Sequence, residues 1–179
     1  TLKIVKSNDL IVVEVYSQPA PVVSIIEEDI CQILGIQLGD LNTNLPFCVS
    51  SVGSPKLLIP IISIDILTKL CPNFVAICNW SHSNYVNGFY VYAEKLSGEQ
   101  KHFVARGFNP KAGHNEDAAT GVAAAALCAC LKANITIEQG YVIDKPSKIS
   151  VHYNNESILV GGKVKEGSDD SKIILLGND

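Results

Sequence analysis

The clearest pattern along the chain is a series of short apolar and β-branched runs, each ended by proline, glycine or a polar turn. Runs of this length and composition are typical of β-strands. We therefore predict strands at residues 10–16, 47–52, 56–61, 74–78, 88–93, 101–108, 149–153, 158–160 and 173–176. The turn residues at 154–156 separate two of these runs and predict a hairpin.

Two segments show helical spacing instead. At residues 25–34, isoleucine and leucine recur every three or four positions before Gly35. Ser24, followed three positions later by Glu27, is typical of a capping box at a helix start. Residues 65–70 predict a second, shorter helix.

A third helical segment, residues 122–132, consists almost entirely of alanine, valine, leucine and cysteine. A helix that is apolar on every side must be surrounded by protein, and strand-like runs precede and follow this one. A sheet wrapped around the helix satisfies both observations. The sequence therefore predicts an α+β fold in which an antiparallel, barrel-like sheet surrounds a central apolar helix.

The composition excludes several kinds of partner. Fourteen Lys and Arg against 18 Asp and Glu give a net charge of −4 without a basic cluster, so we expect neither nucleic acid nor a membrane surface as a partner. No apolar run approaches the roughly 20 residues that span a bilayer, and residues 1–9 lack a signal-peptide pattern. The six cysteines lack the paired spacing of a zinc site or disulfide scaffold, which predicts reduced, buried thiols in a cytoplasmic protein.

The candidate functional segment is the polar junction before the central helix, residues 113–121. The first turn of a helix offers unpaired N–H groups and the positive end of the helix dipole, which can hold a substrate carboxylate. His114, Glu116 and Asp117 could move or orient a proton. These three side chains lack a distant fourth ligand, so we expect no metal. The alternatives are that Asp117 or Thr120 only caps the helix and that Glu116 is a solvated loop charge.

Outside this junction the chemical signals are weaker. The loop at residues 50–55 contains Gly53 and Ser54, which could offer N–H and hydroxyl groups to a polar ligand or could only make a turn. Gly53 and Ser54 are therefore also candidate substrate-binding residues. Cys128 and Cys130 lie too far along the helix for its dipole to activate a thiolate, so we predict that both are packing residues.

Three stretches, at residues 52–60, 105–121 and 139–147, resemble in this order the motifs of the PhzF-like family of phenazine biosynthesis. The middle stretch, Ala-Arg-x-Phe-x-Pro-x-x-Gly-x-x-Glu-Asp-x-Ala-Thr-Gly, is the longest and most specific. The resemblance implies a diaminopimelate-epimerase-type fold. In that fold two similar lobes each wrap strands around a central helix, and the active site lies in the cleft between them.

The chain resembles only the later part of a family member. The resemblance implies that residues 1–45 are the end of the first lobe and the linker, and that residues 46–179 are the second lobe, with its central helix at about 120–132. Family members carry an additional N-terminal stretch that holds the proton-moving glutamate. That missing N-terminal lobe is therefore an expected partner, and a homodimer is a further candidate assembly.

The resemblance also assigns roles to individual residues. Asp117 matches the catalytic-site aspartate that hydrogen-bonds the substrate, and Thr120 and Gly121 match pocket-lining residues at the helix start. Val122 occupies a substrate-binding position at which the family usually has serine, and Ala118 replaces a proline. Related racemases place a cysteine just before the helix glycine, and its absence here disfavours two-thiol racemisation.

The resulting expectation is a PhzF-like isomerase that catalyses acid–base proton transfer on a small carboxylate-bearing substrate, without a metal or cofactor. The alternative is a catalytically silent small-molecule-binding or interaction domain of the same fold. The valine at position 122 favours this alternative, because it removes a hydroxyl group from the pocket.

Overall fold

The computed structural model describes residues 3–7, 10–96, 101–155, 157–166 and 173–176. Within them the strands are β1 (Lys3–Ser7), β2 (Leu10–Val15), β3 (Cys48–Ser50), β4 (Lys56–Ile61), β5 (Phe89–Glu94), β6 (Lys101–Asn109), β7 (His114–Asp117), β8 (Ile135–Gln139), β9 (Ser147–Asn154), β10 (Ser157–Glu166) and β11 (Ile173–Leu176). The α-helices are α1 (Glu27–Leu34), α2 (Ile64–Lys69), α3 (Phe74–Ser83) and α4 (Gly121–Leu131). None of these helices has the length and apolar character that crossing a membrane requires.

These strands form one sheet in the order β1-β2-β10-β9-β8-β6-β5-β4-β3, with β11 against β10 and β7 against β6. Neighbouring strands are antiparallel except for the pairs β4–β5 and β6–β8, which are parallel. Parallel neighbours need a crossover connection, which α2 and α3 supply for the first pair and α4 for the second. The two crossovers pack against opposite faces of the sheet, α4 in one core cluster and α2 with α3 in the other.

The helix α4 forms the centre of one core. Its residues from Ala123 to Cys128 are all fully buried, and they pack with strand residues such as Tyr90, Phe103 and Ile137. The small alanine side chains let the strands approach the helix backbone closely. The predicted α+β fold, with a sheet around a central apolar helix, is confirmed.

The other face of the sheet is covered by α1, α2 and α3. Along β4, Leu57, Ile59 and Ile61 belong to this outer core, whereas Leu58 belongs to the inner one. A strand that is buried on both faces is apolar at consecutive positions. The two-sided burial therefore explains why β4 is a continuous apolar run.

The predicted strand at residues 74–78 is wrong, because these residues begin α3. The side chain of Asn73 accepts a hydrogen bond from the Ala76 N–H at 3.0 Å and caps the helix. Ile77 and Ser81, one helical turn apart, are the buried residues. An apolar run of five residues fits a strand or a helix equally well, and the Asn73 cap was the signal for a helix.

Other boundaries also differ from the predictions. Helix α1 begins at Glu27, its N-cap residue is Ile26, and no side chain caps it, so the predicted capping box is absent at this helix. Gly35 ends the helix as predicted, with a left-handed φ of 72°. The strands β1 and β8 were not predicted, and β7 was predicted as an irregular loop.

The first two strands join the rest of the sheet directly. Strand β2 pairs with β10, so that Val13 lies opposite Val160, and β1 pairs with β2. One sheet therefore includes strands from residues 1–45 and from residues 46–179. The division of the chain into two lobes stays a prediction.

All six cysteines are free, but they are not all buried as predicted. Cys31 and Cys128 are buried, Cys71 is exposed, and the other three are half-buried. The half-buried cysteines are Cys48, Cys78 and Cys130.

Candidate functional site

The polar junction leads from β7 into the start of α4. Strand β7 pairs with β6 and ends at Asp117, and Thr120 is the N-cap residue of the helix. The Thr120 hydroxyl donates a hydrogen bond to Asp117 Oδ2 at 3.0 Å. Asp117 is half-buried and Thr120 is buried. The pairing therefore holds the carboxylate of Asp117 beside the first turn of α4.

Gln139, at the end of β8, forms hydrogen bonds to several groups of this junction. Its side chain is fully buried, and its Nε2 donates to the Asp117 carbonyl at 2.7 Å and to Thr120 Oγ1 at 2.9 Å. Its Oε1 accepts hydrogen bonds from the Thr120 N–H at 3.2 Å and from the Tyr90 hydroxyl at 3.1 Å. One buried amide thus satisfies two donors and two acceptors and fixes the position of Asp117.

The backbone at the start of α4 keeps free donors. The N–H groups of Ala123 and Ala124 both donate to the Thr120 carbonyl. The N–H groups of Gly121 and Val122 form no hydrogen bond within the described residues. Thr120 is the N-cap residue by position, but no side chain caps the helix, so the alternative in which the side chain of Asp117 or Thr120 serves only as a cap is wrong. Two N–H groups and the positive end of the helix dipole are therefore available to an anion.

Glu116 is not the solvated loop charge that the sequence favours. Its carboxylate accepts hydrogen bonds from Arg106 Nε at 2.9 Å and from Arg106 Nη2 at 2.7 Å, and the two side chains are only 8% and 7% exposed. Arg106 Nη1 also donates to the carbonyls of Leu67 and Leu70 at the end of α2. The ion pair therefore anchors β7 to the outer helix layer. It is a structural element of the junction.

His114, Glu116 and Asp117, which were predicted to move or orient a proton, do not form a cluster. Successive side chains of a strand point to opposite faces, and Asp117 bonds to Thr120 while Glu116 bonds to Arg106. His114 is exposed. Across the described residues, no group of three histidine, cysteine or acidic side chains is placed to hold a metal ion.

Lys56 is a buried charged residue near Asp117 that was not predicted from the sequence as a candidate. It is only 2% exposed, its Nζ donates to the Asn87 carbonyl, and it forms no ion pair with a carboxylate of the described residues. Burial lowers the pKa of Lys56 to about 8, and the nearby charge of Asp117 partly opposes this shift. A lone lysine in an otherwise apolar strand was the available signal. The structure adds a buried cation to the surroundings of Asp117.

The loop with Gly53 and Ser54 lies directly before Lys56. The Ser54 hydroxyl accepts a hydrogen bond from Asn87 Nδ2 at 3.1 Å. The Gly53 N–H donates to Ser51 Oγ at 3.1 Å, and Gly53 has a left-handed φ of 117°. Ser54 thus supports the Asn87 segment that Lys56 also contacts, and neither this bond nor that of Gly53 leads to Asp117.

Val122 is 40% exposed at the first turn of α4. The exposed apolar side chain lies next to the free N–H groups of the helix start. It offers no hydrogen bond to a polar ligand. Any ligand at this position meets a mixed surface of backbone donors and one aliphatic side chain.

We expect Gly107→Ala to disturb the junction. A methyl group at position 107 would lie 2.5 Å from Thr120 Oγ1 and 3.1 Å from Gln139 Nε2. Both side chains would have to shift, and the free energy of unfolding should fall by about 1–3 kcal/mol in urea unfolding. The matched control is Gly39→Ala, because no atom lies within 4 Å of the new methyl group there. Equal stabilities of the two variants would contradict a rigid contact at Thr120.

This chain is similar to a known protein family and to individual known proteins. The family model described as phenazine biosynthesis-like protein, PhzC-PhzF, matches residues 3–170. An uncharacterised isomerase of Clostridium acetobutylicum is 34% identical over 105 residues, which cover 59% of this chain and 35% of that protein.

Solved structures show the same fold. A PhzF-family phenazine biosynthesis protein of Bacillus anthracis has a TM-score of 0.74 at 18% identity, over 98% of this chain and 62% of that one. A predicted epimerase of Pseudomonas aeruginosa has a TM-score of 0.67 at 21% identity, over 90% of this chain and 58% of that one. The chain thus spans less than two thirds of the length of these relatives. Because the family model matches nearly the whole length of this chain, the chain belongs to the PhzC-PhzF, or phenazine biosynthesis-like, family.

Proposed function

We propose that this chain is the second lobe of an isomerase that transfers a proton within a small carboxylate-bearing molecule, by acid–base catalysis without a cofactor. The observation that carries the proposal is the pair of free N–H groups at Gly121 and Val122 beside the fixed carboxylate of Asp117. The named relatives, an isomerase and a predicted epimerase, support the same class of reaction.

In the proposed mechanism the substrate carboxylate binds to the two free N–H groups at the positive end of α4. Asp117 then accepts a hydrogen bond from a neighbouring hydroxyl or amino group of the substrate and orients the molecule. Lys56 adds positive charge to the same region. The proton itself is moved by a glutamate of the first lobe, as the family resemblance implies. The reaction takes place in the cytoplasm, where free thiols such as the six found here persist.

Deuterium exchange tests the proposal. The chain, together with the first lobe that carries the proposed glutamate, is incubated in heavy water with a panel of cyclic carboxylic acids and amino acids, and the loss of carbon-bound protons is followed by proton NMR. Incorporation of deuterium at the carbon next to a carboxylate or an unsaturated group supports an isomerase. An inert panel combined with tight carboxylate binding contradicts it.

A second candidate function is a catalytically silent binding domain, which the apolar Val122 favours. Such a domain would bind carboxylates at the start of α4 and exchange no protons. The variant Val122→Ser separates the two functions, because it restores a hydroxyl at the helix start. Faster exchange in Val122→Ser supports the enzyme, and tighter binding without exchange supports the binding domain.

We expect Lys56→Met to weaken carboxylate binding without lowering stability. Loss of one nearby positive charge should raise the Kd for benzoate about tenfold, measured by NMR titration of the Gly121 and Val122 N–H signals. The pKa of Lys56 is about 8 in the folded chain and 10.5 in the unfolded one, so its charge disfavours folding below pH 8. The Tm of Lys56→Met should therefore be no lower than that of the wild type.

The control for this variant is Lys69→Met, which removes the same charge from an exposed position. It should leave the Kd for benzoate unchanged. In the wild type, the affinity for benzoate should also fall as the pH rises through about 8, because Lys56 then loses its charge. Equal benzoate affinities in the two lysine variants would remove Lys56 from the site.

A further inference from the structure

Two thiols from distant parts of the chain meet on the inner face of the sheet. Cys48 lies in β3 and Cys130 lies near the end of α4, 82 positions later, and their sulphur atoms are 3.6 Å apart. This distance corresponds to a hydrogen bond between a thiol and a second sulphur. Cys130 packs against the inner core, as predicted, and the structure adds a thiol partner, Cys48.

The contact makes the two thiols unequal in acidity. The hydrogen bond from Cys48 lowers the pKa of Cys130, with a smaller contribution from Ser50, although burial opposes the shift. The same hydrogen bond, together with burial, raises the pKa of Cys48. Of the two thiols, Cys130 is therefore the one that loses its proton more readily. A thiolate, and not a thiol, is the nucleophile in sulphur exchange.

Cys48 lies on a strand at the edge of the sheet. Strand β3 has three residues and is the last strand in the order of the sheet, paired only with β4 among the described strands. A disulfide needs a sulphur–sulphur distance of about 2.05 Å, so a small shift of an edge strand and a side-chain rotation are required. Both cysteines are half-buried, so part of each residue is exposed to solvent.

The other cysteines lack this arrangement. Cys128 is buried and its thiol donates to the Ala133 carbonyl at 3.2 Å. Cys78 lies 3.6 Å from His82 Nδ1. Within the part of the chain that is described, Cys48 and Cys130 are the one pair of thiols that hydrogen-bond to each other. The chain thus contains its own controls for thiol reactivity.

We propose that Cys48 and Cys130 form a reactive dithiol that exchanges with low-molecular-weight disulfides such as oxidised glutathione. The Cys130 thiolate attacks the glutathione disulfide, forms a mixed disulfide and releases one glutathione thiolate. Cys48 then loses its proton to solvent and attacks the Cys130 sulphur, which releases the second glutathione. The two cysteine thiols are oxidised to one disulfide, and one oxidised glutathione is reduced to two thiols.

The product would connect the edge strand β3 to the central helix α4. A cross-link that closes a chain segment of this length restricts the unfolded state and raises the Tm, here by about 5–10 °C. The reaction is reversible, since an excess of reduced glutathione regenerates both thiols. The pair is therefore a thiol modification site that adjusts the stability of the inner core.

The test is incubation of the folded protein with oxidised glutathione at pH 7, followed by intact mass measurement and peptide mapping. The expected product has lost two hydrogen atoms and contains a peptide pair that joins Cys48 to Cys130. The Cys48→Ser variant should stop at a glutathione adduct on Cys130, and Cys130→Ser should form neither product at these positions. Cys128→Ser should form the cross-link as the wild type does.

A measurement on the wild type does not depend on any variant folding. Brief alkylation with iodoacetamide at pH 7 should modify Cys130 at least tenfold faster than the exposed Cys71. Faster modification of Cys71, or a cross-link that forms only after unfolding in urea, would overturn the proposal.

Discussion

Asp117→Asn should lower the rate of deuterium incorporation at least about 100-fold. Asparagine keeps the size of the side chain and an oxygen that accepts the Thr120 hydrogen bond, so the junction stays folded. It removes the negative charge that orients the polar group of the substrate. The measurement is the exchange rate in heavy water with the first lobe present, and the Tm is measured on the same samples. Asp117→Ala, which also removes the acceptor for Thr120, should lower the rate further.

Asp65→Asn is the matched control, because Asp65 is exposed on α2. It should leave the exchange rate unchanged. A rate for Asp117→Asn within a factor of about two of the control would remove Asp117 from the proposed mechanism. A parallel loss of rate and Tm would instead assign Asp117 a structural role.

Glu116→Ala should produce the largest loss of stability, about 3–5 kcal/mol in the free energy of unfolding. The variant leaves Arg106, which is 6% exposed, without its carboxylate partner. The two carbonyls at the end of α2 satisfy only one of its nitrogen atoms. An unpaired buried charge is costly because it has lost its hydration and gained no opposite charge. Urea unfolding measures the difference.

Two further variants separate the ion pair from its surroundings. Glu94→Ala removes an exposed carboxylate and should change the free energy of unfolding by less than about 0.5 kcal/mol. The double variant Arg106→Met with Glu116→Leu removes both charges and should be more stable than Glu116→Ala alone. If Glu116→Ala costs no more than Glu94→Ala, the ion pair does not anchor β7.

Features that depend on neighbouring residues could be predicted from the sequence, whereas contacts between distant segments could not. The start of α4 could be predicted because Asp117, Thr120 and Gly121 are close in sequence, and a helix start has the same donors wherever it occurs. The partners of this segment could not be predicted. Gln139 and Lys56 reach it through sheet pairings that one sequence does not specify.

The difference between helix and strand shows the same limit. Residues 74–78 form a short apolar run that is compatible with both, and only packing against the outer face of the sheet selects the helix. In α4, by contrast, eleven residues without a polar face permit only a buried helix. The length of α4 and its uniformly apolar composition made the prediction of a buried helix independent of the rest of the chain.

The sequence by itself determined the central apolar helix, most of the strands, the acidic balance of the chain and the polar segment at the helix start, because these are properties of neighbouring residues. Only the tertiary structure decided that Glu116 pairs with Arg106, that Gln139 supports Asp117, and that Cys48 meets Cys130. Each of these contacts joins residues from different strands or helices. Their partners depend on how the chain crosses the sheet, which local patterns leave open.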